Sequence, residues 1–111
     1  MARAKRHAIP EDVKKQAEER VDAFNTRVLR APHRYYRPRY WGLYVYLDRV
    51  EAGRPQFICR LTYTGQMDNW EFASYQYSDE RYDPDAWMFP GADHIDGTIE
   101  GAMKAGLEAY P

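Results

Sequence analysis

Tyr40-Trp41-Gly42-Leu43-Tyr44-Val45-Tyr46-Leu47-Asp48-Arg49 is the stretch on which the fold turns. Trp41, Leu43, Val45 and Leu47 alternate with Tyr40, Tyr44 and Tyr46, the period of two that belongs to a strand with unlike faces. Glu51-Ala52-Gly53-Arg54-Pro55 follows as a turn by its glycine and proline. Residues 56–64 alternate again, with Phe57, Cys59, Leu61 and Tyr63 set against Ile58, Arg60, Thr62 and Thr64. After a break at Gly65–Asn69, residues 70–77 read as a third strand of aromatic and small residues. Its Trp70 and Phe72 point one way and Tyr75 and Tyr77 the other, which a bulge near Ala73–Ser74 would reconcile. Short connections between successive strands predict an antiparallel meander.

Helices flank these strands. Residues 10–30 carry Val13, Ala17, Val21, Phe24 and Val28 at helical spacing, with Pro10, Glu11 and Asp12 suited to the first turn. Ala31-Pro32 is the expected stop. A second helix is expected from about Gly97 to Ala109, with Asp96 as N-cap. Ile99, Ala102, Met103, Gly106, Leu107 and Tyr110 form its apolar face, and Glu100, Lys104 and Glu108 its outer face. Gly97, Gly101, Ala105 and Ala109 line up as a small-residue ridge that permits close packing. Between the third strand and this helix, Ser78–Asp96 is long for a structureless connection. It holds Tyr82, Trp87, Met88 and Phe89, so it is expected to pack, and to cover the aromatic sheet face formed by Tyr44, Tyr46, Ile58, Arg60, Thr62, Tyr75 and Tyr77.

The expected fold is therefore α+β in the order α-β-β-β-α, a three-stranded antiparallel sheet with both helices packed on one face. Residues 1–8 read as a basic N-terminal tail and residues 9–111 as a single domain. The element order resembles that of the double-stranded-RNA-binding domain. That family approaches phosphate with lysines at the start of its last helix, where this chain has Asp93, Asp96 and Glu100.

Composition narrows the class. The 111 residues are 44% hydrophobic and 30% charged, an ordinary globular mix and no disordered one. No apolar run approaches the ~18 residues of a membrane span. The basic start is followed by no apolar stretch of the secretory kind, and a single cysteine, Cys59, makes no internal disulfide. A cytoplasmic location is expected. Charge is divided along the chain: residues 1–60 hold 14 Lys/Arg against 7 Asp/Glu, residues 61–111 hold 2 against 10. A mutual neutralisation of the two halves would leave an ordinary mixed surface.

Signals for catalysis are weak. Cys59 falls on the apolar face of its strand, where cysteine behaves as a small hydrophobe. No His or Cys spacing fits zinc, and there is no phosphate-binding glycine loop or nucleophile turn. Asp93, His94 and Asp96 form the best carboxylate–imidazole group, yet capping of the last helix accounts for them. No catalytic residue, metal or cofactor is expected.

The strongest signal is Arg34-Tyr35-Tyr36-Arg37-Pro38-Arg39-Tyr40-Trp41, with Arg27, Arg30 and His33 before it and no acid between Asp22 and Asp48. Tyr, Trp and Arg dominate protein interfaces, so Arg34, Tyr35, Tyr36, Arg37, Arg39 and Tyr40 are the candidate binding residues. The expected function is a non-enzymatic protein-interaction or self-association module, with a partner protein or a second copy in a homodimer. The alternative is nucleic-acid binding through residues 27–41, where arginines would meet phosphate and rings would stack on bases. A purely structural role remains beside both, with these arginines paired to Asp79, Glu80, Asp83 and Asp85.

Overall fold

In the computed structural model, which describes residues 8–111, helix α1 runs over Glu11–Phe24 from Pro10 as N-cap. Its stripe of Val13, Ala17, Val21 and Phe24 is buried, as the spacing requires. Beyond Phe24 the chain makes a π-helical turn, Asn25–Leu29, which ends on Arg30 in the left-handed region (φ 53°). A π turn is wider than an α turn, so the next apolar residue rotates off the stripe. Val28 is accordingly exposed, not buried. The basic tail expected over residues 1–8 lies, but for Ala8, outside the described residues.

Five strands follow in one antiparallel sheet, ordered β1-β2-β3-β4-β5: β1 Arg34–Trp41, β2 Tyr44–Glu51, β3 Arg54–Thr62, β4 Glu71–Gln76 and β5 Arg81–Asp83. The expected three-stranded sheet is thus corrected to five, and the α-β-β-β-α order shared with the RNA-binding domain is not the order found. Strand β1 hides behind Pro38 and four charged residues at 30–39, a composition at odds with a central strand. It is an edge strand, where a missing proline N–H costs no ladder bond. Strand β5 is only three residues long and sits inside the 78–96 connection.

Tight turns define the hairpins. Trp41 pairs with Tyr44 around Gly42, whose φ of 60° divides the expected 40–49 strand in two. Glu51 pairs with Arg54 around Ala52 and Gly53, both at positive φ, as a type I′ hairpin needs. A bulge lies in β3 and not at Ala73–Ser74. Leu47 pairs with Cys59 and Asp48 with Phe57, so Ile58 is the extra residue. The bulge flips the pleat, placing Phe57 on the opposite face from Cys59 and Leu61 and leaving it exposed. Strand β4 is covered on both sides, since Phe72, Ala73, Ser74 and Tyr75 are all buried, and its alternation is illegible for that reason.

Helix α2 covers Ile99–Ala109, with Thr98 rather than Asp96 as N-cap: the Gly101 N–H donates to Thr98 Oγ1 at 2.9 Å. Asp96 braces that cap, accepting from the Thr98 N–H and hydroxyl. Within α2, Gly106 permits the closest approach to the sheet. A Cβ there would lie 2.5 Å from Ile58 Cγ2 and 2.6 Å from the Tyr36 hydroxyl. That hydroxyl donates to the Met103 carbonyl at 2.7 Å, and Tyr40 donates to the Lys14 carbonyl of α1 at 3.3 Å. The core joins Val21 and Phe24 to Val45, Leu47, Leu61, Phe72 and Met103. No described helix is long and apolar enough to cross a membrane.

Two outcomes are expected. Gly106→Ala should lower stability by about 1–3 kcal/mol in denaturant melts, because the hydrogen-bonded Tyr36 ring has little room to yield. Cys59, with no exposed surface and its thiol pKa pushed up chiefly by burial, should resist thiol labelling in the native protein. Labelling as fast as in denaturant would take Cys59 out of the core.

Candidate functional site

Strand pairing sorts the Arg/Tyr segment onto two faces of β1. Arg34, Tyr36, Pro38 and Tyr40 share the face of Leu47 and Arg49, while Tyr35, Arg37, Arg39 and Trp41 share the face of Tyr46 and Asp48. On the first face Tyr36 is buried and bonded to α2, and Tyr40 is half-buried against α1 with its hydroxyl 3.0 Å from Glu18 Oε2. Burial, with Glu18 adding to it, raises the Tyr40 pKa. Arg34 donates from Nε to Glu51 at 3.1 Å. These three residues hold the fold together, so the expected binding set divides.

The second face is an aromatic and guanidinium surface. Trp41 is 74% exposed at its end, and Tyr35 and Arg37 are also exposed. Arg39 donates two bonds to Asp48, from Nε at 2.5 Å and Nη2 at 3.0 Å, and Arg37 reaches the same carboxylate at 4.0 Å. Asp48 is 1% exposed, a charge that could not be buried unpaired. The Arg39 guanidinium lies 4.9 Å from the Tyr46 ring centre and 5.5 Å from that of Phe57, and Arg60 lies 4.3 Å from that of Tyr44. Tyr82 joins Tyr46 at 5.1 Å and Tyr75 at 4.8 Å, and Phe57 meets Tyr75 at 5.1 Å. Burial, reinforced by Asp48, pushes the Tyr82 pKa up to about 12, so the ring stays neutral. Among the described residues the Arg60 Nε and the Tyr82 hydroxyl have no hydrogen-bond partner.

Two expectations are corrected by this arrangement. The arginines do not pair with Asp79, Glu80, Asp83 or Asp85; cross-strand neighbours Asp48 and Glu51 meet them instead. Nor does the Tyr82–Phe89 segment close over the aromatic face. Tyr82 reaches it from β5, but Phe89 stacks on Phe72 on the other side, and Trp87 and Met88 are 54% and 99% exposed.

The edge of β1 is itself blocked. Asn25 takes both outward backbone groups of Tyr36, donating from Nδ2 to the carbonyl at 2.9 Å and accepting from the N–H at 2.7 Å. Pro38 has no N–H to offer, and the Arg34 N–H donates to the Ala31 carbonyl. Side chains, and not strand addition, are what β1 presents. Elsewhere, His94 Nε2 lies 2.6 Å from Glu108 Oε2, an interaction the helical spacing of Glu108 as an outer residue did not reveal. Among the described residues no three His, Cys, Asp or Glu side chains gather as metal ligands would.

No protein-family model matches the chain, and no curated protein or solved structure matches it significantly.

Glu51 accepts from both Arg49 and Arg34, and these bonds hold its pKa below the ordinary value of 4.5. A carboxylate with a depressed folded-state pKa contributes stability above its unfolded value, and loses it as pH falls through the folded one. Stability should therefore decline below about pH 4.5, and Glu51→Gln should flatten that acid limb in pH-dependent melts.

Proposed function

We propose that residues 9–111 form a single, non-enzymatic protein-interaction domain. Both helices pack on one face of the sheet, and the opposite face, led by Tyr35, Arg37, Arg39 and Trp41, meets a partner protein or a second copy of this chain. The observation that carries the reading is the exposure of Trp41 on the same β-strand face as Arg37 and Tyr35. A rigid strand presents these side chains at little entropic cost, and Trp, Tyr and Arg are the residue types that dominate interface energetics. Protein is favoured over nucleic acid because two of the arginines on this face already converge on Asp48. A phosphate would have to compete with a buried carboxylate for them. A reducing, cytoplasmic setting goes with the single unpaired Cys59.

Trp41→Ala and Arg37→Ala, both at exposed positions, test the reading. Each should leave the melting transition near that of the wild type. Each should also weaken self-association in sedimentation, or capture of a partner from lysate, by roughly 30-fold, as loss of a ~2 kcal/mol hot spot does. Salt-sensitive oligonucleotide binding by the wild type, with a log–log slope that drops by about 0.7 in Arg37→Ala, would install the nucleic-acid alternative instead.

A further inference from the structure

Across the sheet from β1, an open groove of about 450 Å³ is lined by Trp70, Glu71 and Phe72 at the start of β4 together with Trp87, Ile95 and Asp96 of the connection that follows. Its volume falls within the roughly 300–1,000 Å³ of ligand-sized sites. The wall is preorganised: the Trp70 N–H donates to the Gly97 carbonyl at 2.9 Å and its indole Nε1–H to the Met67 carbonyl at 2.7 Å. Gly97 packs so closely that a Cβ would lie 2.7 Å from the Asp68 carbonyl oxygen. Trp87 leaves about half its surface in solvent, and the adjoining Met88 is almost wholly exposed.

Charge selects the occupant. Residues 68–100 contain nine Asp or Glu and one Arg, Arg81, which lies 3.5 Å from Asp83. Arg20 reaches in from α1 but pairs with Asp68 and Glu100, outside the groove lining. Among the described residues neither Glu71 nor Asp96 has an ion-pair partner, although Lys104 acts on Asp96 through space. A groove with an open indole face and two carboxylates complements a cation carried on an aliphatic stem. Only one ring is open, since Trp70 and Phe72 are buried, so no cage for a quaternary ammonium is formed.

We propose that this groove docks a basic, extended segment of a partner protein, with an Arg or Lys side chain laid across Trp87 and its charge beside Glu71 and Asp96. The site is separate from the Trp41 face and acts independently of it.

Fluorescence anisotropy with a short labelled peptide of alternating Arg and Leu, and a Glu-for-Arg counterpart, tests this. The wild type should bind the Arg peptide saturably and the Glu peptide not at all. Trp87→Ala and Glu71→Gln, both at exposed positions, should each weaken binding about tenfold, while Arg37→Ala and Trp41→Phe leave it unchanged. No saturable binding, equal binding of the Glu peptide, or affinity untouched by both groove variants would overturn the proposal. Binding that emerges only after removal of residues 1–8 would also overturn it, by making the chain's own basic start the occupant.

Discussion

Arg49 has no exposed surface, yet it carries a charge that would be costly to bury alone. Its guanidinium is satisfied from three directions. It donates to Glu51 at 2.7 Å, to the Tyr36 hydroxyl at 3.4 Å, and to the Gly106 and Tyr110 carbonyls at the end of α2. Both carbonyls lie at the negative end of the helix dipole, and the Gly106 oxygen also accepts the capping Tyr110 N–H at 2.9 Å. One side chain thus ties β2 to β1 and to the last helix, and truncating such a buried ion typically costs about 3–5 kcal/mol. Glu51 passes the link on to Arg34, so the basic segment is anchored at its first residue.

The same logic governs the other face with a different result. Asp48 is buried by the sheet, and Arg39 folds over to neutralise it, drawing its guanidinium between Tyr46 and Phe57. Arg60 fills the next position against Tyr44. Arginine tolerates this because its planar, weakly hydrated head stacks on rings while its edge donates. The charges that looked free along the chain are therefore partly spent inside the domain. What stays open is narrower: Tyr35 and Trp41 near one edge of the sheet, with Arg37 exposed but 4.0 Å from Asp48, and Trp87 with its acidic neighbours near the other.

Charge division along the chain has a spatial counterpart in these two regions. Among the acids at 68–100, Glu71 lies in β4 and Asp83 in β5, and Arg20 is the cation from the first half that reaches Asp68 and Glu100. Other opposite charges meet closer in sequence, within one element as in Lys14 with Glu11 and Arg49 with Glu51, or across a hairpin as in Arg34 with Glu51. Long-range neutralisation of one half by the other would have removed both surfaces.

Periodicity determined the buried stripe of α1 as far as Phe24, the apolar faces of Val45, Leu47, Cys59 and Leu61, and the buried side of α2, while Gly53 and Pro55 marked the turn between β2 and β3. These features follow from local geometry, in which a period of 3.6 or 2 has one stable orientation toward a core. Tertiary structure decided the rest. Pro38 and three arginines made β1 look unlike a strand, and only its place at the edge, blocked by Asn25, reconciles that composition with pairing. The bulge at Ile58 reversed the faces of Phe57 and its neighbours, an insertion that alternation cannot register because both phases are apolar there. Which arginine stands free and which is paired was likewise undetermined along the chain, since a side chain's partner depends on strand register, and register is fixed by turns and core packing together.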